Sequence, residues 1–213
     1  MLSASILGNG PSLKFFKNTN KFNNFVIGTN NVFYLKQFNL INQENNFYTA
    51  YDERFFKKGF PEWVNQLERF KGKIFFPSAW KNKKELKNIK NINYSFPKKN
   101  YNLVKNYSKM FSNTDNLKSS VVINSAIPLA LSLNVKFINL YGCEFRYRLD
   151  VNSRLTNSSY FYNEKNYGFE HTKSTEQIWS NIQRQKLKKI KLFLAEHKVI
   201  LIDKTINGNL NFI

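Results

Sequence analysis

The chain has 213 residues, 42% hydrophobic and 16% aromatic, which excludes an intrinsically disordered polypeptide and allows one α/β domain. No apolar stretch approaches the roughly 18 to 20 residues of a membrane span, and the N-terminus lacks the basic region and apolar length of a signal peptide. The formal net charge of +19 accompanies an excess of Asn, Ile, Phe and Tyr and is scattered, with runs at Lys81–Lys90, Lys98-Lys99 and Lys186–Lys191, so it reads first as solvated surface rather than as a nucleic-acid footprint.

Apolar runs alternate with helix-like segments, the pattern of βαβ units on a mainly parallel sheet. The first strand is Ser3–Leu7, followed by Gly8-Asn9-Gly10-Pro11-Ser12-Leu13 and a helix over Pro11–Lys17. Strands follow at Phe25–Gly28, Phe47–Tyr51 and Lys73–Phe76, with helices at Pro61–Phe70 and Asn82–Lys90. A helix over Ser120–Leu133 leads into a strand at Phe137–Tyr141. The last helix, Thr175–His197, is the clearest. Ser174-x-x-Gln177 resembles a capping box before it, and Trp179, Ile182, Leu187, Ile190 and Leu194 recur at helical spacing. Lysines 186, 188, 189 and 191 then form its outer face, and a strand at Val199–Ile202 follows.

Residues 145–172 lack periodicity but carry Tyr147, Tyr160, Tyr162 and Tyr167, the composition of a lid rather than of a disordered loop. The expected architecture is therefore an α/β, Rossmann-like, mainly parallel sheet flanked by helices. It forms a single domain over 1–213 with a lid-like insertion near residues 145–172.

A strand that breaks into glycines and opens a helix lets backbone N–H groups meet a phosphate, and Pro11 suits the first helical position. In an open parallel sheet, ligands collect at the carboxyl ends of the strands. Gly8, Asn9, Gly10 and Ser12 lie there after the first strand, and Gly28, Thr29, Asn30 and Asn31 after the second. Asp52 follows the third, and Gly142 and Glu144 the fifth. Small residues permit close approach, while amides and carboxylates offer donors and acceptors to a ribose or base. Asn31 reads equally well as a turn former.

No metal motif is present: there is no Asp-x-Asp, no HExxH, no Walker A lysine pattern and no pair of cysteines. The single Cys143 cannot form an internal disulfide, fits a reducing compartment and is expected to pack beneath the following loop. His197 ends a helix, where a cationic imidazole suits the dipole. His171 sits at the end of the lid segment, and imidazole is well matched to accepting a proton near neutral pH.

In order along the chain, Gly8–Leu13, Thr29-Asn30-Asn31-Val32-Phe33-Tyr34, Gly142-x-Glu144-Phe145, Ser158-Ser159-Tyr160 and His171-Thr172-Lys173-Ser174 resemble the bacterial CMP-sialic acid-dependent sialyltransferases of glycosyltransferase family 42. The resemblance covers most of the chain, with residues 60–115 poorly matched. It implies His171 as the general base on the acceptor hydroxyl, Tyr160 and Tyr147 at the departing phosphate, and Asn9 and Asn30 on the nucleotide. It further implies an inverting reaction without a cofactor or metal, using CMP-sialic acid or a related nonulosonic donor and a glycan acceptor, as in bacterial lipooligosaccharide biosynthesis.

Three positions depart from that pattern. Glu144 replaces an aspartate, Asp52 an asparagine, and Arg146 stands where a tyrosine is expected, with Tyr147 one place later. The expected location is cytoplasmic, at most peripheral at the inner face of a membrane. A homo-oligomer stays open, and no specific nucleic acid is expected.

Two alternatives remain open. The Gly-x-Gly-Pro-Ser-Leu opening and the Gly-x-acid ending also resemble the domain shared by motility-associated glycosyltransferase-like proteins and an archaeal-type 6-hydroxymethyl-dihydropterin pyrophosphokinase. That resemblance implies diphosphate transfer with magnesium held by Asp52 and Glu144. The third reading is a basic nucleic-acid-binding module with bases stacked on Tyr and Phe.

Overall fold

The computed structural model describes residues 1–16, 24–35, 38, 45–51, 56, 61–112, 120–144 and 173–205. Seven strands form one sheet: β1 (Ser3–Leu7), β2 (Asn24–Thr29), β3 (Asn46–Thr49), β4 (Lys73–Phe75), β5 (Ile92–Asn93), β6 (Phe137–Tyr141) and β7 (Ile200–Asp203). All pairings are parallel, in the order β5-β4-β3-β2-β1-β6-β7. The helices are α1 (Pro61–Arg69), α2 (Tyr101–Phe111), α3 (Ile127–Ser132) and α4 (Lys173–Glu196). The α/β class with a parallel sheet is thus as expected.

The central strands β1, β2 and β3 are buried on both faces, and the two-residue period divides the side chains of the sheet between two cores. Ala4, Ile6, Ile27, Phe47, Phe75, Ile138 and Leu140 point to one side, where α2 supplies Val104, Tyr107 and Phe111 and α4 supplies Leu187, Ile190, Phe193 and Leu194. Their alternates Leu7, Val26, Tyr48 and Ile74 point to the other, against Leu13, Phe16, Phe33, Trp63, Leu67 and Trp80.

The order of strands positions the site. The chain builds outward from β1 to β5 and then returns to the opposite side of β1 with β6 and β7. The direction of winding therefore reverses between β1 and β6, and in open α/β sheets a ligand crevice opens at the carboxyl ends there.

Several local expectations are corrected. Pro11–Phe15 is a single 3-10 turn rather than an α-helix to Lys17. The lysine-rich segment 82–90 forms short turns, including Lys84–Leu86, rather than the expected helix, with Leu86 and Ile89 as its buried anchors. α2 and β5 were not anticipated. On α4, Leu187, Ile190 and Leu194 are buried, but Ile182 is 41% exposed and leaves the stripe. The helix starts at Lys173, so Ser174 lies inside it and not at an N-cap. β7 starts one residue later than expected.

The helix expected over Ser120–Leu133 is interrupted. Val122–Ala126 is a π-helical turn, closed by the Ile127 N–H donating to the Val122 carbonyl, before α3 resumes. Pro128 is the cause: a proline inside a helix lacks its N–H and crowds the carbonyl four residues earlier, here that of Asn124.

Candidate functional site

Two strand exits meet at the reversal point. The Gly8 N–H donates to the Tyr141 carbonyl at 2.8 Å, and the Gly10 N–H donates to the Gly142 carbonyl at 2.8 Å. The loop after β1 therefore runs against the loop after β6 backbone to backbone. A Cβ on Gly8 would overlap the Gly142 carbonyl oxygen and lie 2.9 Å from Cys143 Sγ. Gly142 itself has φ +62°, the left-handed conformation that glycine adopts without strain.

Glu144 then crosses to the first loop. Its Oε1 accepts the Ser12 N–H at 2.7 Å, and a Cβ on Gly10 would fall inside its carboxylate. Leu13 N–H donates to the Gly10 carbonyl at 3.0 Å. These contacts correct the expected phosphate cradle: the amides of Gly8, Gly10, Ser12 and Leu13 are already bonded within the protein. A carboxylate occupies the place at the turn where a phosphate was expected. The glycines serve the close passage of two chains and make room for an acid.

Unsatisfied acceptors surround this junction. Asn9 Oδ1, Ser12 Oγ, Asn30 Oδ1 and Glu144 Oε2 are buried and have no hydrogen-bond partner among the described residues. A buried polar atom left unpaired costs about 1–3 kcal/mol, so four at the mouth of one sheet are a feature of a binding site rather than of a core. Asn30 follows β2 and takes a left-handed backbone conformation with φ 47°. It is a conformation that asparagine adopts more readily than most residues. Beside it, Thr29 Oγ1 donates to the Leu7 carbonyl at 2.8 Å and ties β2 to β1.

Two polar residues that the sequence reading missed complete the crevice. Ser125, in the π turn, shares a hydrogen bond with Thr49 at the carboxyl end of β3. Its neighbour Asn124 is only 9% exposed, and neither its Nδ2 nor its Oδ1 has a partner among the described residues. The available signal was an Asn-Ser pair inside an otherwise apolar segment, four residues before a proline. π turns occur often at functional sites.

Of the residues singled out from sequence, Gly8, Asn9, Gly10, Ser12, Asn30, Gly142 and Glu144 thus lie together at the carboxyl ends of β1, β2 and β6. Asp52, Tyr147, Tyr160, Arg146 and His171, and the whole segment 145–172, lie outside the described residues. His197 is set in the frame, with Nδ1 2.8 Å from the Phe193 carbonyl and its ring 4.4 Å from that of Phe193.

Cys143 is buried directly against the glycine loop, with Sγ 3.4 Å from the Tyr141 carbonyl. Burial raises its thiol well above the ordinary value, and the nearby carboxylates of Glu144 and Asp203 raise it further. Native protein at neutral pH is accordingly expected to resist iodoacetamide, reacting about 100-fold more slowly than the denatured chain. Mass spectrometry of the alkylated Cys143 peptide over time checks this.

Among the described residues, no group of three or more His, Cys, Asp or Glu side chains could hold a metal ion. No helix among them is long and apolar enough to cross a membrane.

No family model matches the chain, and no curated protein matches it in sequence. Its fold is that of solved sialyltransferases. The sialyltransferase CstII from Campylobacter jejuni in complex with cytidine-5'-monophosphate superimposes with a TM-score of 0.57 at 20% identity, over 100% of this chain and 84% of that one. The same enzyme with CMP-3FNeuAc gives 0.58 at 18% identity, over 100% and 85%. With a trisaccharide acceptor and CMP it gives 0.57 at 18% identity, over 99% and 84%.

Proposed function

We propose that this chain is a sialyltransferase-like glycosyltransferase that moves sialic acid, or a related nonulosonic acid, from a CMP-sugar to a glycan hydroxyl, with inversion and without a metal. The observation that carries the reading is the acceptor-rich crevice at the β1–β6 reversal. Among the described residues it has six unpaired side-chain atoms, of which four, Asn9 Oδ1, Asn30 Oδ1, Glu144 Oε2 and Asn124 Oδ1, are acceptors only. They call for a ligand that brings hydroxyl or amino protons, as the ribose diol and exocyclic amine of cytidine do. The shared fold, with relatives holding CMP and a donor analogue, supports the same class of ligand.

The phosphate belongs elsewhere in this reading, because the Ser12 amide is bonded to Glu144 and a second anion beside that carboxylate would be repelled. Tyr160 and Tyr147 in the lid segment would donate hydrogen bonds to the departing phosphate, where charge develops in the transition state. His171 would take the proton from the acceptor hydroxyl as that oxygen attacks the anomeric carbon. The bond to CMP would break from the opposite face, which inverts the centre. Asp52 would lie at the nucleotide, and residues 145–172 would close over the donor within one domain.

Incubation with CMP-sialic acid and a galactose-terminated oligosaccharide in EDTA tests the reaction. The expected result is a sialylated product whose new linkage has, by NMR, the anomeric configuration opposite to that of the donor. A product of retained configuration, or transfer that starts only when magnesium is restored, would overturn the mechanism.

A further inference from the structure

Asn30 is held from behind by a buried hydrogen-bonded chain that begins on α1. Trp63 Nε1–H donates to Tyr48 Oη at 2.7 Å, and Tyr48 Oη lies 2.6 Å from the Asn30 carbonyl. A phenol has one proton; since the indole can only donate, that proton goes to Asn30. The Asn30 N–H donates in turn to the Thr49 carbonyl at 3.2 Å. Both backbone polar groups of this left-handed residue are thus fixed by β3, one through Tyr48 and one through Thr49.

The phenol has little freedom to do otherwise. Tyr48 is fully buried, Phe33 stacks on its ring at 4.5 Å, and Phe76 meets it edge-on at 6.0 Å. Burial also raises its hydroxyl far above the ordinary value, so it remains a donor at any physiological pH. A core stripe could be filled by phenylalanine; only a hydroxyl reaches the Asn30 carbonyl.

Resting on the nucleotide reading above, we propose that Tyr48 and Trp63 are positioning residues that set the direction of the Asn30 side chain and thereby the affinity for the cytidine nucleotide. Both side chains are buried in the core beneath the strand ends. Tyr48→Phe leaves the Asn30 carbonyl without its hydroxyl donor, so that only the N–H bond to the Thr49 carbonyl still holds the left-handed turn that carries Oδ1.

The test is CMP calorimetry in EDTA on the wild type, Tyr48→Phe, Asn30→Gly and the double variant, with thermal midpoints measured alongside. Glycine tolerates the left-handed backbone and removes only the side chain. Tyr48→Phe and Asn30→Gly are each expected to weaken CMP binding about tenfold, and the double variant no more than about twofold beyond Asn30→Gly. Should Tyr48→Phe fail to fold, Trp63→Phe replaces it, with a loss of about threefold and the same non-additivity expected. Equal losses from the Tyr48 change in both backgrounds, or a lower midpoint with unchanged affinity, would reduce Tyr48 to a structural residue and overturn the proposal. Wild-type protein that binds no CMP would instead remove the nucleotide reading, a result visible before any variant is made.

Discussion

Gly8→Ala is expected to destabilise the protein by about 3 kcal/mol, because the added carbon meets backbone that cannot withdraw. The overlapping atom is the Gly142 carbonyl oxygen, and Cys143 Sγ stands 2.9 Å away in a buried position. Relief requires β1 and β6 to separate where the Gly8 N–H and the Tyr141 carbonyl are hydrogen-bonded at 2.8 Å. For a domain of this size the thermal midpoint should fall by roughly 10 °C. Gly10→Ala is the natural contrast. Its nearest neighbours are the carboxylate atoms of Glu144, the mobile end of a long side chain, although the Gly142 carbonyl oxygen also lies within 2.9 Å. Glu144 would swing away from the Ser12 amide, at a cost of about 1 kcal/mol in stability. Nucleotide affinity should suffer more than with Gly8→Ala at a temperature where both remain folded. Differential scanning fluorimetry of the two variants checks the order; an unchanged midpoint for Gly8→Ala would contradict the account of the strand exits.

The largest effect on turnover is expected at His171. If it deprotonates the acceptor hydroxyl as proposed, His171→Ala should lower kcat about 1,000-fold while CMP affinity stays within about twofold of the wild type. The acceptor oxygen would then have to lose its proton to water, whereas the nucleotide contacts at Asn9, Asn30 and Glu144 would be untouched. Rate measurements under saturating donor, paired with calorimetry, separate the two quantities. A variant that keeps its rate would remove His171 from the reaction. One that loses CMP binding in the same proportion would move it from proton transfer to nucleotide binding.

The frame was legible because the strands carry their signal locally. Ser3–Leu7 and Phe137–Tyr141 are apolar runs that end in glycine, and both are strands with the expected bounds. What escaped notice was short or hidden by composition. β5 has two residues, and its approach is shaped by the Asn91 side chain, whose Nδ2 donates to the Phe70 and Gly72 carbonyls at 2.7 and 2.5 Å. On α2, Val104, Tyr107 and Phe111 recur at helical spacing, but they sit among asparagines and lysines that thin the pattern.

For the candidate site, the placement of glycines and an acid at strand ends was legible and the contacts between those ends were not. Sequence places Gly8, Gly10, Gly142 and Glu144 at strand ends but cannot say that the two ends touch. Only the packing of β6 beside β1 brings the Glu144 carboxylate onto the Ser12 amide and makes the glycines a matter of backbone approach. Asn124 was lost for a related reason. The sequence pattern there predicts only a helix over Ser120–Leu133, whereas Pro128 turns the stretch into a π turn in which Asn124 is buried and unpaired among the described residues.

Calorimetric titration of the wild-type protein with CMP in EDTA tests the central claim most directly. Micromolar binding, falling at least tenfold in Glu144→Ala while the thermal midpoint drops only by the roughly 2–4 °C that loss of the Ser12 hydrogen bond costs, is the result expected of an acceptor-rich nucleotide crevice. Absence of CMP binding, with ATP or GTP bound only once magnesium is added, would contradict it and favour the pyrophosphokinase-like reading.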